Sequence, residues 1–207
     1  MYIAVAGNIG SGKTTLTKLL AEHFQWAPEF ESVNDNPYLK DFYGDMERWS
    51  FHLQVYFLNS RFNQIRKITQ RDSTVIQDRS IYEDAYIFAK NLVDSSMMNR
   101  RDFENYYALF ESMLDYVQPP KLLIYLDAEI PRLVQNIKSR GRDFEKNIPI
   151  NYLINLNDLY RKWINGYNHG NLLRINMKSI DFVNNKADFY KIVEQVEAKI
   201  SEESSSV

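Results

Sequence analysis

The sequence predicts an α/β protein in which a parallel sheet carries helices on both faces. Short apolar runs rich in β-type residues alternate with longer helical patterns, and this alternation is typical of parallel sheets. A glycine-rich segment, Gly7–Thr14, follows the first apolar run directly and leads into the first helical pattern. The length of 207 residues suits one compact domain that can bury a hydrophobic core.

The apolar runs and the stretches between them give the order of the elements. Strands are predicted at Tyr2–Ala6, Glu29–Glu31, Thr74–Gln77, Leu122–Leu126 and Leu172–Ile175, and the second of these is the weakest. Helices are predicted to open at Lys13 and to cover Glu47–Thr69, Arg101–Val117 and Ile130–Ser139. We find no internal repeat and no linker, so residues 1–200 are predicted to form one domain. The polar tail, Ser201–Val207, is expected to be frayed.

The composition and the charge exclude several classes of protein. The formal net charge of -2 argues against a general nucleic-acid or membrane-surface binder, which would carry a basic face. The chain has no cysteine, so disulfides, thiolate metal sites and a cysteine nucleophile are excluded. Met1–Ala6 lacks the features of a secretory signal, and no apolar run approaches membrane-spanning length. We therefore expect a soluble, cytoplasmic protein that binds neither nucleic acid nor membranes.

The glycine-rich segment fits the phosphate-binding pattern G-x-x-x-x-G-K-[ST] at every position. Its glycines let the backbone turn tightly and aim N–H groups at phosphate oxygens, and the helix N-terminus adds its positive dipole end. Lys13 is predicted to neutralise the β- and γ-phosphates, and the Thr14 hydroxyl to bind Mg²⁺. The predicted ATP site therefore comprises Gly7, Asn8, Ile9, Gly10, Ser11, Gly12, Lys13, Thr14 and Thr15.

Three acidic residues end predicted strands, where open parallel sheets bind their ligands. Asp78 is a candidate to hold Mg²⁺, with an N-cap of the next helix as the alternative. Asp127 fits a helix cap before Pro131 better than a metal ligand. Glu31 could take a proton from an attacking hydroxyl, although its spacing alone fits a solvated surface residue better.

A resemblance to a known family extends over these positions. The stretches that carry it are Glu31-Ser32-Val33, Asn36-Pro37-Tyr38-Leu39, Phe42-Tyr43, Arg48-Trp49-Ser50-Phe51, Gln54, Arg61, Asp78-Arg79-Ser80-Ile81-Tyr82-Glu83-Asp84, Arg140-Gly141-Arg142 and Glu145. They resemble the deoxynucleoside kinases, in particular the branch that acts on deoxyadenosine, deoxyguanosine and deoxycytidine. The matches run in the family's order from the glycine-rich segment to near residue 190.

The resemblance implies a P-loop NTPase fold with a five-stranded parallel sheet, an arginine-bearing lid and a helical homodimer interface. The long helical stretches near Glu47–Thr69 and Tyr106–Val117 are candidates for that interface. The implied reaction moves the γ-phosphate of ATP, with Mg²⁺, to the 5′-hydroxyl of a deoxynucleoside and supplies a 5′-monophosphate for nucleotide salvage. Two alternatives stay open, namely a nucleoside monophosphate kinase and a nucleotide-dependent switch or assembly ATPase.

The resemblance also implies roles for individual side chains. On the acceptor side, the implied residues are Glu31 as general base, Arg79 near the phosphates, Tyr43 and Glu145 on the 3′-hydroxyl, Gln54 on the base edge and Phe88 stacked on the base. On the ATP side, they are Arg140 and Arg142 in the lid and Asp181, Phe182 and Val183 around the adenine. Catalysis is assigned to Glu31, Lys13 and Arg79, and the metal to Thr14 and Asp78.

The pair Arg61 and Asp84 underlies our prediction of base preference. Arg61 lies seven residues after Gln54 on one helix, so both share a face, and Asp84 opens the helix that carries Phe88. A base with an exocyclic amino group can donate to Asp84, whereas thymine presents a carbonyl there. We therefore expect purine deoxynucleosides, deoxyadenosine first, to be better substrates than thymidine.

The chain departs from the family pattern at three positions. Ser32 stands where proline is frequent, and Asp78 opens a motif that usually begins with glutamate. Asn136 stands where the lid helix commonly carries a further arginine, and Lys138 is a candidate to supply that charge. Since lid cations stabilise the transition state, Asn136 suggests modest turnover.

Overall fold

A five-stranded parallel sheet forms the centre of the protein. The computed structural model describes residues 1–30, 36–145 and 148–204. The strands are β1 (Tyr2–Gly7), β2 (Ala27–Glu29), β3 (Val75–Asp78), β4 (Leu122–Asp127) and β5 (Asn171–Asn176), and their order is β2-β3-β1-β4-β5. The sequence-based prediction of a five-stranded parallel sheet flanked by helices is therefore confirmed.

The strand order places β1 between β3 and β4, and this arrangement prepares the site. In the register of these strands, Val5 lies beside Asp78 and Gly7 lies beside Leu126. The ends of the three central strands therefore meet at one edge of the sheet. The loop after β1 leaves the sheet directly beside Asp78, at the edge where ligands of parallel sheets bind.

The edge strand β2 lies two residues earlier than the sequence analysis predicted. It spans Ala27–Glu29 rather than Glu29–Glu31, because it pairs with β3 from Ala27 onward and the Ala27 N–H donates to the Thr74 carbonyl at 3.0 Å. Pro28 lacks an N–H, which an edge strand tolerates. The predicted base, Glu31, lies outside the described residues.

Helices cover both faces of the sheet. They are α1 (Lys13–Phe24), α2 (Leu39–Gly44), α3 (Met46–Ile68), α4 (Ile81–Glu83), α5 (Lys90–Asp94), α6 (Arg100–Leu114), α7 (Ile130–Arg140), α8 (Ile150–Asn165) and α9 (Lys186–Ser204). A π-helical segment, Asp84–Ala89, joins α4 to α5, and a 3₁₀ turn, Asp143–Glu145, follows α7. Within the described ranges, no helix is long and apolar enough to cross a membrane.

Local signals explain where the long helices begin and end. The Asp45 side chain accepts a hydrogen bond from the Arg48 N–H and caps α3. The Asn99 side chain likewise accepts from the Asp102 N–H and caps α6. Helix α6 ends at Leu114, three residues before the predicted end. Helix α9 continues to Ser204, into the segment that was expected to be frayed.

The core has a layer on each face of the sheet. Along β1, Ala4 and Ala6 belong to the layer that α8 covers, whereas Ile3 and Val5 belong to the layer that α1 covers. This alternation follows from the two-residue period of a strand, and burial on both faces explains why β1 is apolar throughout. A third apolar cluster lies between α3 and α6 and supports the helices that line the site.

Candidate active site

The loop between β1 and α1 forms a phosphate cradle. Gly10 and Gly12 have φ angles of 81° and 99°, in the left-handed region that favours glycine. A Cβ atom on Gly10 would lie 2.7 Å from the Leu133 carbonyl oxygen, so α7 can approach the loop only because this residue is glycine. The Lys13 ammonium donates to the carbonyls of Gly7 and Asn8 at 2.8 and 3.1 Å. It is thus held over the loop, where β- and γ-phosphates bind in such cradles.

Asn8 anchors the cradle to α8. Its amide nitrogen donates to the Leu153 carbonyl at 2.9 Å and to the side chain of Asn157 at 2.6 Å, and Asn157 donates in turn to the Ala128 carbonyl at 3.0 Å. Both asparagines are buried. The sequence analysis did not assign Asn157, because a polar residue within an amphipathic helix carries no local signal of a distant partner.

A buried carboxylate, Glu83, ties the cradle to the end of β3. It accepts hydrogen bonds from the Gly7 N–H at 3.3 Å, from the Tyr160 hydroxyl at 2.8 Å, and from the N–H and hydroxyl of Ser80 at 2.7 and 3.1 Å. Burial, and next the charge of Glu83, raise the pKa of Tyr160 well above its usual value, so its hydroxyl remains a donor. Ser80 and Glu83 have capping-box spacing, which was the available sequence signal for this residue.

Thr14 and Asp78 bring a hydroxyl and a carboxylate together below the cradle. The Thr14 Oγ1 atom donates to Asp78 Oδ2 at 2.5 Å, and Asp78 is largely buried. Oxygen atoms of this kind, completed by phosphate oxygens and water, are the ligands that Mg²⁺ prefers, so the pair fits a magnesium site. Ser80, rather than Asp78, is the N-cap of α4, and Glu129, rather than Asp127, precedes α7 at its N-cap. The alternative role of Asp78 as an N-cap is therefore excluded, and the cap prediction for Asp127 is wrong.

A cavity, here called the acceptor pocket, opens beside the cradle. Among the residues that sequence analysis assigned to the nucleoside, the pocket wall includes Tyr43, Gln54, Arg79, Asp84, Phe88 and Glu145. Apolar and aromatic side chains that the sequence analysis did not assign complete the wall, namely Leu39, Phe42, Leu53, Phe57 and Tyr152. Burial raises the pKa of Tyr152 to about 12, so its hydroxyl stays protonated near neutral pH.

An ion pair closes the floor of the acceptor pocket. Arg61 Nε lies 3.3 Å from Asp84 Oδ2, and the side chains are each 2% exposed. Arg61 itself lies behind the pocket wall and also donates to the Asp78 carbonyl at 3.1 Å. Gln54 is 3% exposed, and within the described chain its buried Oε1 atom has no hydrogen-bond partner. An unpartnered buried amide on a pocket wall is what a site for a polar ligand requires.

Arg79 and Phe88 contact each other in the wall of the acceptor pocket. Arg79 has a φ angle of 75°, which is rare for a residue with a side chain and typical of strained functional positions. Its guanidinium lies 4.1 Å from the centre of the Phe88 ring. The π-helical segment carries both Asp84 and Phe88, and these two side chains line the same pocket because residues four apart lie on one face of a helix.

The lid arginines are paired with an acceptor-pocket residue. Arg140 forms a charged hydrogen bond with one carboxylate oxygen of Glu145, and Arg142 forms another at 3.2 Å with the second oxygen. Glu145 is buried, whereas both arginines are partly exposed. The carboxylate predicted to bind the sugar thus holds the cations predicted to act on ATP, so this contact couples the two halves of the site.

A second cavity, here called the donor cavity, lies on the other side of the cradle. Its wall includes Gly10, Ser11, Gly12, Lys13, Thr14, Thr15, Arg140, Arg142, Asp181, Phe182 and Val183 from the predicted ATP site. Ile9 lines the acceptor pocket, whereas Gly7 and Asn8 line neither cavity and accept hydrogen bonds from Lys13 through their carbonyls. Hydrogen bonds from Asn184 lower the pKa of Asp181. In the part of the chain that the structure describes, Lys138 is exposed and does not line this cavity.

This fold and site define a P-loop phosphotransferase with a donor cavity and a separate acceptor pocket that meet at Lys13. A family model described as "Deoxynucleoside kinase" matches residues 3–201, and the chain belongs to this family. It is therefore an enzyme, a nucleoside kinase that phosphorylates the 5′-hydroxyl.

Individual relatives agree with this assignment. The chain is 40% identical to the deoxyadenosine/deoxycytidine kinase of Bacillus subtilis over 200 residues, which cover 96% of this chain and 92% of the relative. It is 36% identical to the deoxyadenosine kinase of Lactobacillus acidophilus over 209 residues, 97% of this chain and 96% of the relative. The structure of deoxyadenosine kinase from M. mycoides with bound dATP superposes with a TM-score of 0.84 at 26% identity, over 95% of this chain and all of that one.

The first testable prediction concerns Glu83. In a Glu83→Gln variant, an amide NH₂ replaces one carboxylate oxygen and must face the donors Ser80 N–H or Gly7 N–H. We expect a loss of about 2 kcal/mol in the free energy of unfolding and a melting temperature lower by several degrees. Glu22→Gln, at a helix position with an exposed side chain, is the control and should melt like the wild type. Equal melting of the Glu83 variant and the wild type would contradict this role.

Proposed function

We propose that this kinase uses ATP and Mg²⁺ to phosphorylate purine deoxynucleosides, deoxyadenosine first and deoxyguanosine second, with deoxycytidine as a further candidate. The product is the 5′-monophosphate, and the role is nucleotide salvage. The observation that carries the proposal is the buried ion pair of Arg61 and Asp84 on the floor of the acceptor pocket, beside Gln54. The names of the relatives, which act on deoxyadenosine or on deoxycytidine, support the same choice.

The base is the part of the acceptor that the pocket floor would recognise. A buried ion pair is costly unless its remaining hydrogen-bond capacity is used, and Asp84 can accept from an exocyclic amino group. Gln54 presents a donor and an acceptor together, which suits the edge of adenine. Thymine would place a carbonyl against the carboxylate of Asp84, so we propose that thymidine is a poor substrate.

The sugar would be recognised by hydrogen bonds to its free 3′-hydroxyl. Tyr43 and Glu145 both line the acceptor pocket, and they are suited to the 3′-hydroxyl of a free nucleoside. The aromatic ring of Tyr43 would also crowd a 2′-hydroxyl, which favours deoxyribose. A nucleoside monophosphate kinase must instead bind an acceptor phosphate, whereas Tyr43 and Gln54 in the pocket wall suit a neutral nucleoside with free hydroxyls.

The transfer step follows from these positions. Glu31 would accept the proton of the 5′-hydroxyl while the hydroxyl oxygen attacks the γ-phosphorus, and ADP leaves with the electron pair of the broken P–O bond. Lys13, Arg79 and the lid arginines would stabilise the charge on the transferred group. Thr14 and Asp78 would hold Mg²⁺, which when bound neutralises phosphate oxygens. Release of Arg140 and Arg142 from Glu145 would accompany closure over ATP.

The assembly and the location of the enzyme complete the proposal. The resemblance implies a homodimer, which we propose to be cytoplasmic, and α6 presents a partly exposed Leu109 on one of the helices considered for the interface. Sedimentation of the purified chain should give the mass of a dimer. Sedimentation as a monomer at micromolar concentration would remove the homodimer from the proposal and leave the reaction untouched.

The panel of natural nucleosides is the direct test of the function. ADP release from ATP and Mg²⁺ should depend on an added deoxynucleoside, be fastest in kcat/KM with deoxyadenosine, and be lower with adenosine. ADP release without an acceptor would favour the switch or assembly ATPase, and activity only with monophosphates would favour the monophosphate kinase. Equal kcat/KM for adenosine and deoxyadenosine would contradict the proposal that the Tyr43 ring crowds the 2′-hydroxyl.

Glu31→Gln tests the base. The amide keeps the shape of the side chain but cannot accept the proton, so kcat should fall about 10²- to 10⁴-fold, with a much smaller change in KM for the nucleoside. Glu29→Gln is a matched control two residues earlier, because Glu29 pairs with Arg71 at 2.7 Å, away from the acceptor pocket. A loss below about tenfold for Glu31→Gln would move the base role to another residue, with Asp78 as the next candidate.

The double variant Arg61→Met with Asp84→Ala tests base recognition. Removing both charges leaves no unpaired buried ion, so the fold should persist, and the ratio of thymidine to deoxyadenosine activity should rise at least tenfold. Arg100→Met with Glu104→Ala removes an exposed ion pair on α6 and is the control. An unchanged ratio in a folded double variant would contradict our account of the pocket floor.

A further inference from the structure

Helix α7 presents a row of side chains to the donor cavity. Arg132, Asn136 and Arg140 follow one another at intervals of four residues, so they lie on one face of the helix. All three line the donor cavity together with the cradle. Arg132 has no role in the sequence analysis, and its guanidinium donates a hydrogen bond to the carbonyl of Met177, directly after β5.

The two ends of this row face different parts of the donor. Arg140 lines both the donor cavity and the acceptor pocket, as do Lys13 and Thr14, so it lies where the γ-phosphate must meet the acceptor. Arg132 lies eight residues earlier, roughly 12 Å away along the helix axis, and lines the donor cavity but not the acceptor pocket. It is therefore at the end of the cavity away from phosphate transfer.

The middle of the row fixes the position of the helix. Asn136 donates a hydrogen bond from its amide nitrogen to the Gly10 carbonyl at 2.7 Å. The helix backbone also lies so close to Gly10 that a Cβ atom there would meet the Leu133 carbonyl and the Ile137 side chain. Because α7 is docked on the cradle in this way, Arg132 is held at a set distance from the phosphate end.

The segment after β5 forms the opposite wall at this end of the cavity. Phe182 is buried, and its ring would lie 3.1 Å from a Cβ atom on Gly12, so the segment packs directly on the cradle. Met177 begins this wall, and Asp181 and Val183 continue it. The bond from Arg132 to Met177 therefore joins α7 to this segment at the wall of the donor cavity.

We propose that Arg132 binds the nucleoside end of the donor by stacking its guanidinium on the adenine base. This proposal rests on ATP being the donor in the proposed function. A guanidinium is planar and weakly hydrated, and it stacks on aromatic rings better than an ammonium does. Binding at this end contributes equally to the ground state and the transition state, so it should act on KM for ATP and not on kcat.

The main alternative is that Arg132 only holds Met177 in place or only adds positive charge to the cavity. Arg132→Lys separates these roles, because lysine keeps the charge and can donate to the Met177 carbonyl but cannot stack as a plane. Arg132→Gln removes the charge as well. Arg100→Gln, on the exposed surface of α6 and outside the donor cavity, is the matched control.

The test compares a donor that has a base with one that has none. Dissociation constants of the full-length variants for ATP and for inorganic tripolyphosphate, with Mg²⁺ and without acceptor, are measured by calorimetry. We expect both Arg132 variants to bind ATP about tenfold more weakly than the wild type, and tripolyphosphate within about twofold of it. In steady-state assays KM for ATP should rise with kcat and the KM for the deoxynucleoside unchanged.

Two outcomes would overturn the proposal. Wild-type ATP affinity in Arg132→Lys would assign Arg132 to charge or to the Met177 contact, and equal losses for ATP and tripolyphosphate would assign it to the phosphates. The calorimetric measurement needs no nucleoside acceptor. If no deoxynucleoside stimulates ADP release, the proposed acceptor is wrong, whereas the role of Arg132 is decided by the binding of ATP and tripolyphosphate alone.

Discussion

The buried carboxylate of Glu83 holds the two halves of the catalytic edge together. It accepts from the first residue of the phosphate cradle, from the turn after β3 and from Tyr160 of α8. Without these bonds, four backbone or side-chain donors would be buried without this acceptor, which is strongly unfavourable. The geometry between the Lys13 side and the Arg79 side of the site therefore depends on one side chain that itself lines neither cavity.

The charged groups of the site are paired with one another at two places. Arg61 and Asp84 compensate each other below the acceptor pocket, while Arg140 and Arg142 compensate Glu145 at its rim. The first pair is deeply buried, so only a ligand with matching polar groups can reach it without loss. The second group is at the partly exposed junction of the two cavities, where arginines can exchange a carboxylate for phosphate oxygens.

Helix α7 joins the donor cavity to the rest of the site. It is docked on the cradle through Asn136 and Gly10, and it ends at Gly141, directly before the turn that carries Glu145. Asn136, in the middle of the row, is neutral. Its amide can therefore donate to the Gly10 carbonyl at short distance without placing a charge there that would need a counter-charge. The positive charge of the row is thereby confined to its two ends, Arg132 and Arg140.

The sequence by itself determined the parallel sheet, the phosphate cradle and the helices α1, α3, α6 and α7, because apolar periodicity and glycine spacing are local signals. It also placed Gln54 and Arg61 on one helix face, since a seven-residue spacing fixes that. The tertiary structure decided the exact span of β2, which follows from pairing with β3, and the caps before α4 and α7. Only the tertiary structure revealed the partners of Asn8, Glu83 and Arg132, because these contacts join residues 145, 76 and 45 positions apart. Local patterns cannot encode such contacts, which arise only when the strand order brings distant segments to one edge of the sheet.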